Sequence, residues 1–368
     1  MATVASLPLF LFTLPAGILI DKVNRQKFVC RINVCLASVA AGLAVLGWLH
    51  LLNSYTILAS VFLVGVGFSF NAPAWASIVP QIVSDAELPS ATTLGGLQLN
   101  ISGIIGPVLG GLLVPLVGVN FVFAVNGACF LLVVLAVRQW KQSTPQPTLA
   151  SESFFQSLAP VIGYMRNAPR LQVVLARNFL FALFVSVIPA LMPTVGLKVL
   201  HLGSSQLGFL FTSMGAGSVF GAVFIISWLR ARFSSDFVTF TANLLIVLTF
   251  VLMAFVRQAE AFFIVAAFAG VGWTLSASEL WVAAQRAMPN WALGRMSATV
   301  IMISQGAMAF GGFIWSCAAA VAGPVYTLLG ASVLFLVSLL LSSRLSINVK
   351  AGFEEKISGT LTGELIAA

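Results

Sequence analysis

Glu279 is the one carboxylate that falls inside a long apolar run of this 368-residue sequence. An ionisable side chain in such a place is costly unless it has a function or a partner. Two roles are open to it: binding a proton or a cationic group, or pairing with Arg286, seven residues on and on the same helical face. Arg177 lies one turn inside another apolar run. It can meet an anionic ligand, or extend its guanidinium to lipid headgroups. Gln98, Asn100, Asn126 and Asn178 are uncharged polar residues within such runs, suited to lining a cavity or to bonding between helices. Catalytic sets are missing: no Ser/His/Asp arrangement, phosphate loop or hydrolytic carboxylate pair is visible. Cys30, Cys35, Cys129 and Cys317 form no close CxxC pair, and His50 and His201 stand apart. No enzyme activity, metal centre, disulfide framework or cofactor is expected.

The elements that must position these residues are membrane helices. The sequence is 60% hydrophobic and 8% charged, with a mean hydropathy of +1.05, where soluble domains carry about 25% charged residues. That excludes a soluble enzyme, a nucleic-acid binder and a disordered chain. Eleven stretches are long and apolar enough to cross a bilayer: Ala2–Ile20, Phe28–Leu51, Tyr55–Ile78, Ala91–Val117, Val119–Val137, Val173–Leu197, Ser205–Leu229, Phe237–Val256, Ala261–Ala283, Ser297–Ala322 and Pro324–Leu341. Alternating the connections puts 16 of the 18 Lys and Arg on one face, leaving Lys198 and Arg257 on the other. The positive-inside rule makes the basic face cytoplasmic, with the C-terminus inside and Met1 outside. Residues 1–137 read as a five-helix half-bundle, 138–172 as a cytoplasmic linker, 173–342 as a six-helix half-bundle and 343–368 as a cytoplasmic tail. Within the linker, Ser151–Met165 has the spacing of a short helix lying on the membrane surface.

Three motifs stand out. The first basic loop reads GILIDKVNRQK, from Gly17 to Lys27. Its glycine admits a close helix neighbour, and Asp21, Lys22 and Arg25 can form charged contacts at the membrane surface. The second is FNAPAWASIVPQIVSDAELPSATTL, Phe70 to Leu94, punctuated by prolines. The third is SGIIGPVLGG, where Ser102, Gly106 and Gly110 form a stripe of small residues and Pro107 bends the helix.

With these motifs the sequence resembles the major facilitator superfamily, in the branch called transmembrane secretion effectors, which includes enterobactin exporters. Gly17, Asp21, Lys22 and Arg25 match its first-loop signature, with Asn24 in place of the usual second glycine. The resemblance implies that Asp21 and Arg25 latch the cytoplasmic gate against the opposite half. Gly106, Pro107, Gly110 and Gly111 match a motif of exporters in this superfamily. QRAMPNWALGRMSATV, Gln285 to Val300, resembles the branch's loop before its eleventh helix. The latch of the second half is degenerate, with Arg230, Arg232 and Asp236 remaining. The first span aligns with the family's second helix, which leaves the family's first helix without a counterpart in this sequence.

The expected fold is therefore an all-α membrane protein, a facilitator-type bundle of 11 helices in two pseudo-symmetric halves. The expected activity is proton-coupled efflux of a small, partly apolar compound, such as a siderophore or drug-like molecule, from the bacterial inner membrane. Glu279, Arg177, Gln98 and Asn100 are the candidate proton or substrate residues. Membrane lipids are the other expected partners, the protein is expected to be monomeric, and no nucleic-acid partner is expected. Import on the same scaffold, and a truncated or non-transporting membrane protein, are the alternatives.

Overall fold

The computed structural model describes residues 2–84, 87, 98, 102, 106, 109–110, 113–114, 116–140, 163–288 and 293–342. Among these the chain is helix and short turns, with no strand. That is what a bilayer demands of a sequence this apolar, because a helix satisfies its own backbone polar groups. The helices are α1 (Ala2–Lys22), α2 (Arg25–Trp48), α3 (Ser54–Ile82), α4 (Val119–Gln139), α5 (Pro169–Val185), α6 (Val187–Lys198), α7 (Ser204–Phe220), α8 (Ile226–Arg232), α9 (Ser235–Phe255), α10 (Ala259–Arg286), α11 (Leu293–Ala322) and α12 (Pro324–Ser342). The pairs α5–α6 and α7–α8 each make one broken span. Among the described residues, nine spans meet the length and hydropathy of a membrane crossing, and α1 adds a 21-residue helix. The expected stretch Ala91–Val117 lies mostly outside the described residues, and so does most of the expected surface helix Ser151–Met165.

Short polar residues cap the starts of α2, α3 and α9. The Asn24 side chain accepts from Lys27 N at 3.0 Å, and Ser234 Oγ from Phe237 N at 3.3 Å. Asn53 and Thr56 form a reciprocal capping box, with bonds of 2.9 and 3.0 Å. Each occupies backbone N–H groups that a helix start leaves without partners.

The two halves are built on one register. Residues 65–72 read GVGFSFNA and residues 270–277 read GVGWTLSA, 205 residues later. In α3, a Cβ on Gly65 would press on Pro8 of α1 at 2.9 Å, and one on Gly67 would strike Leu36 of α2. In α10, Gly270 lies against the Met214 carbonyl of α7, and a Cβ on Gly272 would come within 2.8 Å of Ile246 of α9. Leu36 and Ile246 are themselves 210 residues apart. Lipid supplies no hydrophobic force between helices, so close backbone approach is what binds them. Buried polar pairs follow the same register. Asn33 Nδ2 donates to Asn71 Oδ1 at 3.2 Å between α2 and α3, and Ser276 Oγ donates to Asn243 Oδ1 at 2.6 Å between α10 and α9. The turns before α4 and α12 also correspond, with Gly118 and Gly323 at φ 81° and 83°, a backbone state that suits glycine.

The first lobe packs α1 on α3, and α2 on both α3 and α4. In the second, α10 packs on α5, α7 and α9, and α12 on α9 and α11. Its core holds Phe184 stacked on Phe335, centroids 4.8 Å apart, with Trp315 5.7 Å from the same ring. The lobes meet where α1 lies along α11.

Candidate functional site

Two ion pairs of the second lobe lie at its basic end. Glu279 is 1% exposed, and Arg230, 42% exposed, donates to its Oε1 through Nε. A carboxylate buried this fully needs a paired donor to remain charged. Arg177 is 9% exposed and pairs with Asp236, 26% exposed, at 2.5 Å. Its Nη2 also donates to the Ser342 carbonyl at 2.9 Å, the last residue of α12. Arg232 stacks over the Trp228 ring at 4.7 Å. The fragment LRARFSSD, degenerate as a signature, thus supplies one partner to each ion pair.

A broken span and a seam between lobes lie deeper. Pro189 has no N–H for the Val185 carbonyl, and the span breaks at Ser186, between α5 and α6. The Leu183 carbonyl accepts from Ser186 Oγ at 2.6 Å and from Trp315 Nε1 of α11 at 2.9 Å. Asn178 of α5 donates to Ser304 Oγ of α11 at 2.5 Å. Two residues along α11, Gly306 makes the notch that seats Phe10 of α1; a Cβ there would come within 2.7 Å of the ring. In α7–α8, five residues from Gly221 to Ile225 take π-helical form. They follow Gly217, which sits directly against the Ala267 carbonyl of α10.

The structure places the expected residues as follows. Glu279 is paired, but with Arg230 and not Arg286. The helical-face argument looked along α10, whereas packing brings α8 to it. Arg177 neither extends to the headgroups nor stands open to a ligand: Asp236 and Ser342 hold it within the lobe. Asn178 bonds between helices, as one of its two readings had it. Asn126 is exposed on α4. Gln98 is exposed and donates to Ser102 at 3.3 Å. Gly106 and Gly110 are helical, with open space where a Cβ would project, while Asn100, Pro107 and Gly111 lie outside the described residues. Gly17, Asp21 and Lys22 fall in the last turns of α1, and their side chains lie outside the described set. Arg25 opens α2, half-buried. At the end of α3, the Ser84 hydroxyl and N–H hold the Glu87 carboxyl below its usual pKa.

Sequence reasoning passed over Asn33, Asn71, Asn243 and Ser276. A polar residue in an apolar run signals each one, but only the packed lobes show that they meet.

An α-helical bundle of two lobes in one register, with broken spans and buried polar pairs, defines a multi-span membrane protein of transporter architecture. The family model described as transmembrane secretion effector matches residues 1–367, and the chain belongs to that family of the major facilitator superfamily. Macrolide efflux protein A of Streptococcus pyogenes is 19% identical over 221 residues, covering 60% of this chain and 55% of that protein. The enterobactin exporter EntS of Citrobacter koseri is 25% identical over 228 residues, covering 60% and 52%. The chain thus spans about half the length of these curated relatives. The crystal structure of FucP, a Major Facilitator Superfamily transporter in the outward conformation, covers 94% of this chain and 89% of its own at a TM-score of 0.59. At 15% identity that likeness shows the fold alone. These similar proteins are transporters and exporters, not enzymes.

Proposed function

We propose that this chain is a secondary transporter that exports a small, partly apolar compound by alternating access. The observation that carries the reading is family membership along nearly the whole chain, joined to relatives named for macrolide efflux and enterobactin export. The substrate class follows from those names: a siderophore or a drug-like molecule. The two lobes rock about the α1–α11 seam, and the broken span α5–α6 supplies a bend beside it. The basic face lies in the cytoplasm of a bacterium, by the positive-inside rule, and the protein acts as a monomer in the inner membrane.

Protons are the coupling ions in this reading, and Glu279 is the residue that takes one up. Protonation removes the charge that holds Arg230, and so loosens α8 from α10 at the basic end. Asp21 and Arg25, with Gly17 and Lys22, latch the first lobe at the same face. The Gly106–Gly111 motif shapes the cavity and limits leak in this reading. The test is export from cells and uptake into inverted vesicles across a macrolide and siderophore panel, at several pH values. The native chain exports, with a rate that follows the proton gradient. Glu279→Gln abolishes that dependence; a Glu279→Gln protein with unchanged pH-dependent transport removes Glu279 as the coupling site.

A further inference from the structure

The fragment LRARFSSD holds three charged side chains, and two of them turn inward to ion pairs, Arg230 to Glu279 and Asp236 to Arg177. The third, Arg232, has no carboxylate partner among the described residues and lies over the Trp228 ring. Stacking on a ring face leaves the edge of a guanidinium open, with its N–H donors. Aromatic rings continue from it on both sides. Trp228 meets Phe233 edge-on at 6.1 Å, and Phe233 stacks on Phe237 of α9 at 4.6 Å. Further into the span, Phe220 and Phe224 lie 5.3 Å apart. All five rings are exposed. Phe220, Phe224, Trp228 and Arg232 recur every four residues, a series that a regular helix rotates by about 40° per step. The π-helical residues Gly221–Ile225 take more residues per turn and hold the series closer to one stripe. A different face of the span, that of Gly217 and Gly221, is the one seated on α10. Beyond Phe237 the exposed Leu244 and Leu248 extend the apolar surface along α9. The ring set belongs to the second lobe: 210 residues earlier stand Ile18, Lys22, Val23 and Lys27, a cation without its rings.

We propose that this outer stripe of α7–α8 seats one anionic phospholipid of the leaflet at the basic face. The lipid phosphate takes the open edge of Arg232, through the charge-assisted bonds that a guanidinium fork makes well. Trp228, Phe233 and Phe237 lie at the headgroup level, where aromatic rings collect in membrane proteins. An acyl chain runs over Phe224 and Phe220. With Arg230 and Asp236 each matched by an opposite charge, Arg232 leaves this turn net positive, so a headgroup of net negative charge is preferred over a zwitterionic one. The same turn carries one partner of each ion pair, and a lipid held on it clamps Arg230 and Asp236 from outside. This assignment needs only that the chain spans a membrane and is independent of the efflux reading.

The full chain is reconstituted in vesicles that contain lipids with brominated acyl chains, which quench the tryptophans they touch. The share of quenching due to Trp228 is the difference between the native chain and Trp228→Phe, which keeps a ring at that position. Brominated phosphatidylglycerol competes for this share about fivefold better than brominated phosphatidylcholine of the same chains. That is the ratio to which about 1 kcal/mol per arginine at an anionic leaflet converts. Arg232→Gln, measured against its own Trp228→Phe partner, brings the ratio near one. Inorganic phosphate, compared with sodium chloride at equal ionic strength, leaves the native ratio unchanged. A native ratio near one, or an unchanged ratio in Arg232→Gln, overturns the proposal. So does a Trp228 share that neither lipid quenches, the result if a protein segment covers the stripe. Loss of the ratio in phosphate but not in chloride overturns the lipid as occupant in favour of the free anion.

Discussion

The Arg230–Glu279 pair sets up an asymmetry that a small set of variants can read. Glu279 is sealed from solvent, while Arg230 keeps 42% of its side chain exposed. Removing Arg230 strands a carboxylate in the interior. Breaking a fully buried pair from one side costs about 3–5 kcal/mol. Water reaches the Arg230 side of this pair, so we lower the expected cost of Arg230→Met to about 2–3 kcal/mol. Glu279→Gln is milder, about 1 kcal/mol, because it keeps a hydrogen-bonding group in the cavity and leaves the arginine free to turn into water. The register of the two lobes supplies a third variant. Position 20 is Ile and position 74 is Ala where the second lobe has Arg230 and Glu279. Both positions carry apolar residues there, so Arg230→Met with Glu279→Leu, which keeps the side-chain volumes, stays within about 1 kcal/mol of the native chain. The readout is the apparent Tm in one detergent at one scan rate, since melting of such proteins is seldom reversible. At roughly 2 °C per kcal/mol for a chain of this size, Arg230→Met falls by several degrees, Glu279→Gln by about two, and the double variant by no more than Glu279→Gln. Equal losses for the two single variants, or a double variant as unstable as Arg230→Met, would refute the argument from burial.

Two further outcomes follow from the packing. Gly306→Ala places a Cβ 2.7 Å from the Phe10 ring, so it forces the lobes apart at the α1–α11 seam; cysteine cross-linking across that seam falls several-fold, and Phe10→Ala in the same protein restores it. Asn33→Leu leaves the Asn71 carbonyl oxygen without its donor and lowers stability by about 1 kcal/mol, in the range measured for hydrogen bonds between membrane helices, whereas Asn33→Leu with Asn71→Leu recovers most of the loss in the same melting assay.

The apolar runs and the alternation of basic loops made most of the fold legible, because lipid leaves a chain so few alternatives. The span ends differ from the helices by a few residues, as at α2, which begins at Arg25 and not Phe28. Breaks were harder to read. Val173–Leu197 looked like one helix although Pro189 stands in its middle, since proline is tolerated in membrane helices and its presence alone does not locate a bend. Partners were least legible. Arg286 was near Glu279 in sequence and Arg230 was 49 residues away, and only the approach of α8 to α10 decides between them. The shared register lay in plain view in the two GVG segments, yet the residues around them differ enough to hide it until the glycines were seen touching corresponding neighbours.

Trp315 gives the second lobe a mechanical linkage. Its indole grips the carbonyl at the bend in α5–α6, and nine residues earlier the same helix seats Phe10 of the first lobe. One helix, α11, therefore touches both the first lobe and the bend of α5–α6, at points nine residues apart. In the proposed alternating-access cycle a swing of α1 reaches the bend through helix and not through a loop, so indole emission from Trp315, in a protein whose other seven tryptophans are replaced, gauges the stroke.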